Sequence, residues 1–103
     1  MESERMDITE KVALVTGGAR GIGKAIVTSF AEKGLTVYSL DIGDTTTASA
    51  REAARGHPGR VEGICCDIRD AATVENVCAD LISRHGAVDI LVNNAGITPR
   101  KPD

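Results

Sequence analysis

The stretch Val12-Ala13-Leu14-Val15-Thr16-Gly17-Gly18-Ala19-Arg20-Gly21-Ile22-Gly23 decides how this chain is read. Its first four residues are apolar, the mark of a short buried strand. Glycines crowd the turn that follows. Beyond it, Ile22, Ala25, Ile26, Ser29 and Phe30 recur at helical spacing and predict one apolar face. A strand that enters a helix through such a turn forms an anion site. The first helical turn carries N–H groups with no partner inside the helix, and the dipole adds positive potential there. Glycine lets the backbone approach a phosphate and reach φ > 0 without a Cβ clash. The spacing is G-x-x-x-G-x-G, through Gly17, Gly21 and Gly23, and not G-x-G-x-x-G. No Lys-Ser or Lys-Thr pair follows, which argues against hydrolysis of ATP or GTP. Alone, this turn is also an ordinary strand-to-helix connection, so the rest of the chain must separate the two readings.

Outward from that turn, apolar runs and helical stripes alternate as β-α-β-α-β-α-β. Strands are predicted at residues 11–15, 35–40, 60–66 and 88–92, and helices at 21–33, 48–54 and from 70 onward. Gly34 and Gly86 stop the first and third helices. Asp70 is placed to cap the third, whose stripe is Val74, Val77, Cys78, Leu81 and Ile82. Asp44 reads as a cap or turn residue. The nearly continuous apolar runs of the first and fourth strands predict a sheet covered on both faces. Strands joined through helices are parallel, with right-handed crossovers. The fold class is therefore α/β, a doubly wound parallel sheet of order 3-2-1-4. The chain reverses direction between strands one and four, and the crevice beyond their carboxyl ends is the expected ligand site.

Composition narrows the function. With 103 residues the chain is at most one small domain, burying about 60–68% of its unfolded surface. Lys and Arg total 12 against 15 Asp and Glu, a net charge of −3 that disfavours nucleic-acid and anionic-membrane binding. Aromatics are scarce, with one Phe and one Tyr, so a base-stacking surface is not expected. No apolar run approaches the ~20 residues of a membrane span. Residues 1–10 read as a flexible, polar lead-in without a signal core, and a cytoplasmic location is expected. Three cysteines without C-x-x-C spacing fit a reducing compartment. Cys65, Cys66 and Cys78 are read as small buried hydrophobes, and no metal site is expected. His85 falls in the last turn of a helix, where a cation suits the dipole.

Three features beyond the turn carry chemistry. Asp41 ends strand two, twenty residues after Gly21, where a carboxylate can accept from both hydroxyls of an adenosine ribose. It would repel the roughly −2 charge of a 2′-phosphate, which favours NAD over NADP. Arg20 pulls the other way, because it could partner a phosphate. Asp67-Ile68 follows strand three, with Asp67 able to accept from an adenine amino group and Ile68 able to line the ring. Asn93-Asn94-Ala95-Gly96 follows strand four and converges on the same crevice, with Gly96 permitting close approach to the nicotinamide side.

Together, Thr16-Gly17-Gly18-Ala19-Arg20-Gly21-Ile22-Gly23, Asp41, Asp67-Ile68 and Asn93-Asn94-Ala95-Gly96 resemble the N-terminal, cofactor-binding half of the short-chain dehydrogenase/reductase family. The resemblance runs from Lys11 to about Thr98. It implies a partial Rossmann-like NAD-binding domain at residues 11–98, with 99–103 the start of a loop. It implies that Gly17, Gly21 and Gly23 form the pyrophosphate turn and that Ile22 supplies an N–H. It further implies that Asp41 selects NAD, that Asp67 and Ile68 hold adenine, and that Asn93, Asn94, Ala95 and Gly96 flank ribose and nicotinamide. The family's Ser and Tyr-x-x-x-Lys would lie downstream of Asp103. Tyr38 is followed four residues later by Ile42 and does not match that motif. The resemblance thus implies the cofactor portion of an enzyme that moves hydride between nicotinamide and an alcohol or carbonyl substrate, homo-oligomeric at full length. The alternative is a non-catalytic NAD-binding or sensing module, or a fragment that completes a partner. Strand four, cut off from a further neighbour, would be an apolar edge open to pairing with another chain.

Overall fold

The computed structural model describes residues 11–94. The expected lead-in at 1–10, the loop at 99–103, and the predicted site positions Ala95 and Gly96 lie outside the described residues. Seven elements follow in chain order: β1 (Val12–Thr16), α1 (Gly21–Glu32), β2 (Thr36–Asp41), α2 (Thr46–Ala54), β3 (Arg60–Cys65), α3 (Ala71–His85) and β4 (Ile90–Asn93). The strands pair in parallel in the order β3-β2-β1-β4, as the connectivity requires. Val12 of β1 stands opposite Thr36 of β2, and Ala13 opposite Ile90 of β4, so the carboxyl ends of β1, β2 and β4 finish together.

Helices cover both faces. On one, Val27 of α1 and Ala53 of α2 pack on Ala13, Val15, Leu35 and Val37. On the other, Leu81 of α3 packs on Val12, Leu14, Tyr38 and Leu40. β1 lies between these layers and is buried at all five positions. Burying a side chain such as Leu14 or Leu81 contributes about 1.5–3 kcal/mol, so this stack is the main support of the fold.

Local signals set the boundaries well. Gly34 and Gly86 both take φ of +89, and Asp70 accepts from the N–H groups of Ala72 and Thr73. Three expectations need correction. The buried face of α1 is Gly23, Val27 and Ala31, with Ile26 and Phe30 half-buried, whereas Ile22 is 69% exposed. Small residues let α1 lie close to the sheet, so its larger apolar side chains flank the contact. β4, the sheet edge among the described residues, is covered on one face only: Ile90 and Val92 pack against the cluster that holds Val27, and the opposite face is open. Its Leu91, opposite Leu14, is 60% exposed. Of the cysteines, Cys65 is exposed and Cys66 and Cys78 are only partly buried. Asp44 is the turn residue of the two roles expected for it: it is exposed in the turn before α2, which begins at Thr46 behind Thr45.

Candidate functional site

The turn between β1 and α1 is bound to the end of β2 on one side and open on the other. Gly17 and Gly18 N–H both donate to the Leu40 carbonyl, at 2.7 and 3.3 Å. Ala19 N–H donates to Asp41 Oδ2 at 3.0 Å. The next four main-chain donors, on Arg20, Gly21, Ile22 and Gly23, have no acceptor among the described residues. Lys24 N–H resumes the pattern by donating to Arg20 O. Arg20 holds the capping position with extended backbone (φ −157°, ψ 167°), but its side chain makes no capping bond. A run of free N–H groups at the positive end of a helix is the physical requirement for binding an anion.

Glycine is required here for two different reasons. Gly21 has φ of +62°, which L side chains rarely adopt. Gly23 is a close approach: a Cβ there would meet Gly17 O at 2.0 Å and Asn94 Nδ2 at 2.7 Å. Beneath the turn, Gly18 rests on Ser39, whose buried Oγ has no hydrogen-bond partner among the described residues.

The turn opens into a crevice of about 420 Å³ at the carboxyl ends of the strands. Gly17, Arg20, Asp41, Ile42, Asp67, Ile68, Arg69 and Asn94 line it. Six of the residues singled out in the sequence therefore meet on one opening. Gly21, Ile22 and Gly23 follow directly in the helix start. Asn93 and Asn94 act as clasps between β4 and the turn: Thr16 Oγ1 donates to Asn93 Oδ1 at 3.0 Å, and Asn94 Nδ2 donates to Gly17 O at 3.2 Å.

The two carboxylates differ. Asp41 is buried, with Oδ2 taken by Ala19 N–H and Oδ1 accepting Ile42 N–H at 2.8 Å. Each oxygen keeps a second lone pair, so the group can still accept from hydroxyls. Asp67 is half-exposed and chelated by Arg69: Nε and the main-chain N–H reach Oδ1 at 3.0 Å, and Nη2 reaches Oδ2 at 3.1 Å. These bonds hold the Asp67 carboxyl below the usual carboxylate range. Arg69 carries no sequence signal, because a basic residue two positions after an acid is common in loops. Ser49 of α2 was also missed. Its Oγ donates to Ala19 O at 2.6 Å across 30 residues, and no local pattern announces such a contact.

A larger cleft, about 890 Å³, opens at the opposite ends of the strands, beside Tyr38, Arg60, Glu62, Arg84, His85 and Asp89. Much of its polar lining is already engaged. Tyr38 Oη lies 2.6 Å from His85 Nε2, and Asp89 Oδ2 accepts Val12 N–H at 2.9 Å. Burial pushes the Tyr38 hydroxyl above its ordinary value. Size alone therefore does not mark the site, and the free donors lie at the smaller opening. Among the described residues there is no group of His, Cys, Asp and Glu able to hold a metal, and no helix is long and apolar enough to cross a membrane.

A parallel sheet of this order, with a glycine-rich turn and an acid-ended second strand on one crevice, defines the dinucleotide-binding class of α/β folds. Within that class, the sequence profile of short chain dehydrogenases matches residues 11–103, and the chain belongs to that family. It is 40% identical over 93 residues to the 3-oxoacyl-(acyl-carrier-protein) reductase FabG of Thermotoga maritima, covering 90% of this chain and 38% of that protein. It is 38% identical over 92 residues to D-threitol dehydrogenase of Mycolicibacterium smegmatis, covering 89% and 35%. Among solved structures, a short-chain dehydrogenase/reductase from Burkholderia xenovorans superposes with a TM-score of 0.79 at 38% identity. L-sorbose reductase from Gluconobacter frateurii, complexed with NADPH and L-sorbose, superposes with a TM-score of 0.79 at 34% identity. Each structural match covers 94% of this chain and 38% of the other. The chain thus spans little more than a third of the curated relatives it matches.

Proposed function

We propose that this chain is the NAD-binding part of an oxidoreductase acting on an alcohol or carbonyl substrate. The observation that carries the reading is the row of unpartnered N–H groups on Arg20, Gly21, Ile22 and Gly23, beside the crevice that also holds Asp41. The donor set suits a dinucleotide: main-chain N–H groups for the pyrophosphate, and a carboxylate for the ribose hydroxyls. In this reading Gly17, Gly21 and Gly23 shape the pyrophosphate seat and Ile22 supplies a donor. Asp67 and Ile68 take the adenine, while Asn93, Asn94, Ala95 and Gly96 flank the ribose and nicotinamide. When bound, the nicotinamide accepts or gives a hydride. The protein residues bind and orient it. Tyr38 takes no part in proton transfer, because its hydroxyl is engaged by His85 away from the crevice. The substrate and a homo-oligomer of the full-length enzyme are proposed on family membership.

The choice of NAD rests on Asp41, whose negative charge would face a 2′-phosphate. Arg20 and Arg69 line the same opening and would offset part of that repulsion. L-sorbose reductase carries NADPH, so family membership does not choose between the cofactors. Calorimetric titration of the chain with NAD and NADP tests the reading. NAD is expected to bind at least about tenfold more tightly, a difference of about 1.4 kcal/mol. Equal or tighter NADP binding overturns the role of Asp41, and binding of neither overturns the dinucleotide reading.

A further inference from the structure

We propose that Ser49 is a positioning residue that keeps the β1–α1 turn in its anion-accepting shape by holding the carbonyl of Ala19. The inference rests on the dinucleotide reading above. The peptide groups on either side of Ala19 are pinned: its N–H donates to Asp41 Oδ2 at 3.0 Å, and its carbonyl accepts from Ser49 Oγ at 2.6 Å. That carbonyl matters for a specific reason. In an α-helix each N–H donates to the carbonyl four residues back, so the partner of Gly23 N–H would be Ala19 O. Ser49 holds this acceptor towards α2, and Arg20 stays extended. The helix therefore begins at Gly21, and the Gly23 donor stays free.

Ser49 is itself firmly placed. Its own N–H donates to Thr45 O at 2.9 Å, so it belongs to the first turns of α2. Thr46, fully buried, donates its hydroxyl to Gly43 O at 2.6 Å. One turn further along, Lys24 of α1 pairs with Glu52 of α2. The hydroxyl does not line the crevice, so it acts through the turn and not on a ligand.

The test compares wild type, S49A and S49T of the full chain with ADP, which carries a pyrophosphate, and adenosine, which carries none. Alanine favours helix, so S49A retains α2. Losing one neutral hydrogen bond predicts ADP binding weakened by roughly three- to tenfold in S49A. Adenosine affinity should be unchanged, and S49T should restore ADP binding. Without ligand, the Gly23 amide should gain hydrogen-exchange protection in S49A, because the Ala19 carbonyl, no longer drawn towards α2, can turn to accept it. Unchanged ADP affinity in S49A, or equal weakening of ADP and adenosine, overturns the role of Ser49 alone. Failure of wild type to bind ADP overturns the dinucleotide reading and this inference with it.

Discussion

α1 and α3 begin in the same way on the main chain and differently in the side chain. Arg20 and Asp70 both hold the capping position with extended backbone. Asp70 turns its carboxylate onto the N–H groups of Ala72 and Thr73, at 3.1 and 3.4 Å. Arg20 offers no acceptor, and the donors behind it stay open. A capping side chain is worth about 1 kcal/mol to a helix, so α1 forgoes stability that α3 keeps. The difference teaches that a helix start with cap geometry but no cap is prepared for an anion from outside. α3 completes itself, whereas α1 is left open for the ligand proposed above.

The comparison breaks most visibly at Gly23. In G23A the new Cβ meets the Gly17 carbonyl and the Asn94 amide, so the turn must shift. Urea unfolding should show a loss of about 2–3 kcal/mol, and ADP binding should disappear from calorimetry. D70A should cost about 1 kcal/mol in the same unfolding measurement, with ADP affinity unchanged, because the cap it removes serves α3 alone. R20D gives α1 the cap it lacks. Stability should rise by about 0.5–1 kcal/mol while ADP affinity falls below that of the R20A control. If R20D binds ADP as well as R20A, the contrast between the two helix starts has no functional meaning.

The smallest effect is expected at the other end of the sheet, where polar groups satisfy one another. Burial raises the folded Tyr38 value above the unfolded value of about 10. The resulting contribution is fully present below the unfolded value and is lost as pH rises through the folded one. Absorbance at 295 nm should show this tyrosine ionising late, and Y38F should abolish the alkaline step in stability. Ionisation near pH 10 with no such step would contradict the role given to burial.

Much of the architecture was legible because its signals are local. Gly34 and Gly86 mark helix ends through backbone conformation, Asp70 caps the two N–H groups just beyond it, and strand–helix alternation leaves few parallel orders. Harder to read were contacts made across the chain. Asp41 reads as a ribose acceptor, and nothing near it in sequence tells that Ala19 N–H already donates to it. Ser49 looks like an unremarkable helical serine, because its partner is 30 residues away. The buried face of α1 is hard to read for a related reason. Large apolar residues draw the eye, but the sheet selects the small ones, Gly23, Val27 and Ala31, that permit close packing. Cys65 is exposed where its residue type predicts burial, because alternation along β3 does not say which side of the strand remains open to solvent.

Gly18 and Ser39 are bound together by size. A methyl group on Gly18 would come within 2.3 Å of the Ser39 oxygen, and that oxygen bonds to nothing else among the described residues. Ser39 is thus kept for its small volume and not for its hydroxyl, and Ala would serve there equally well. Neither position can grow while the other stays as it is, so the two are expected to vary as a couple, one enlarging only when its opposite number shrinks.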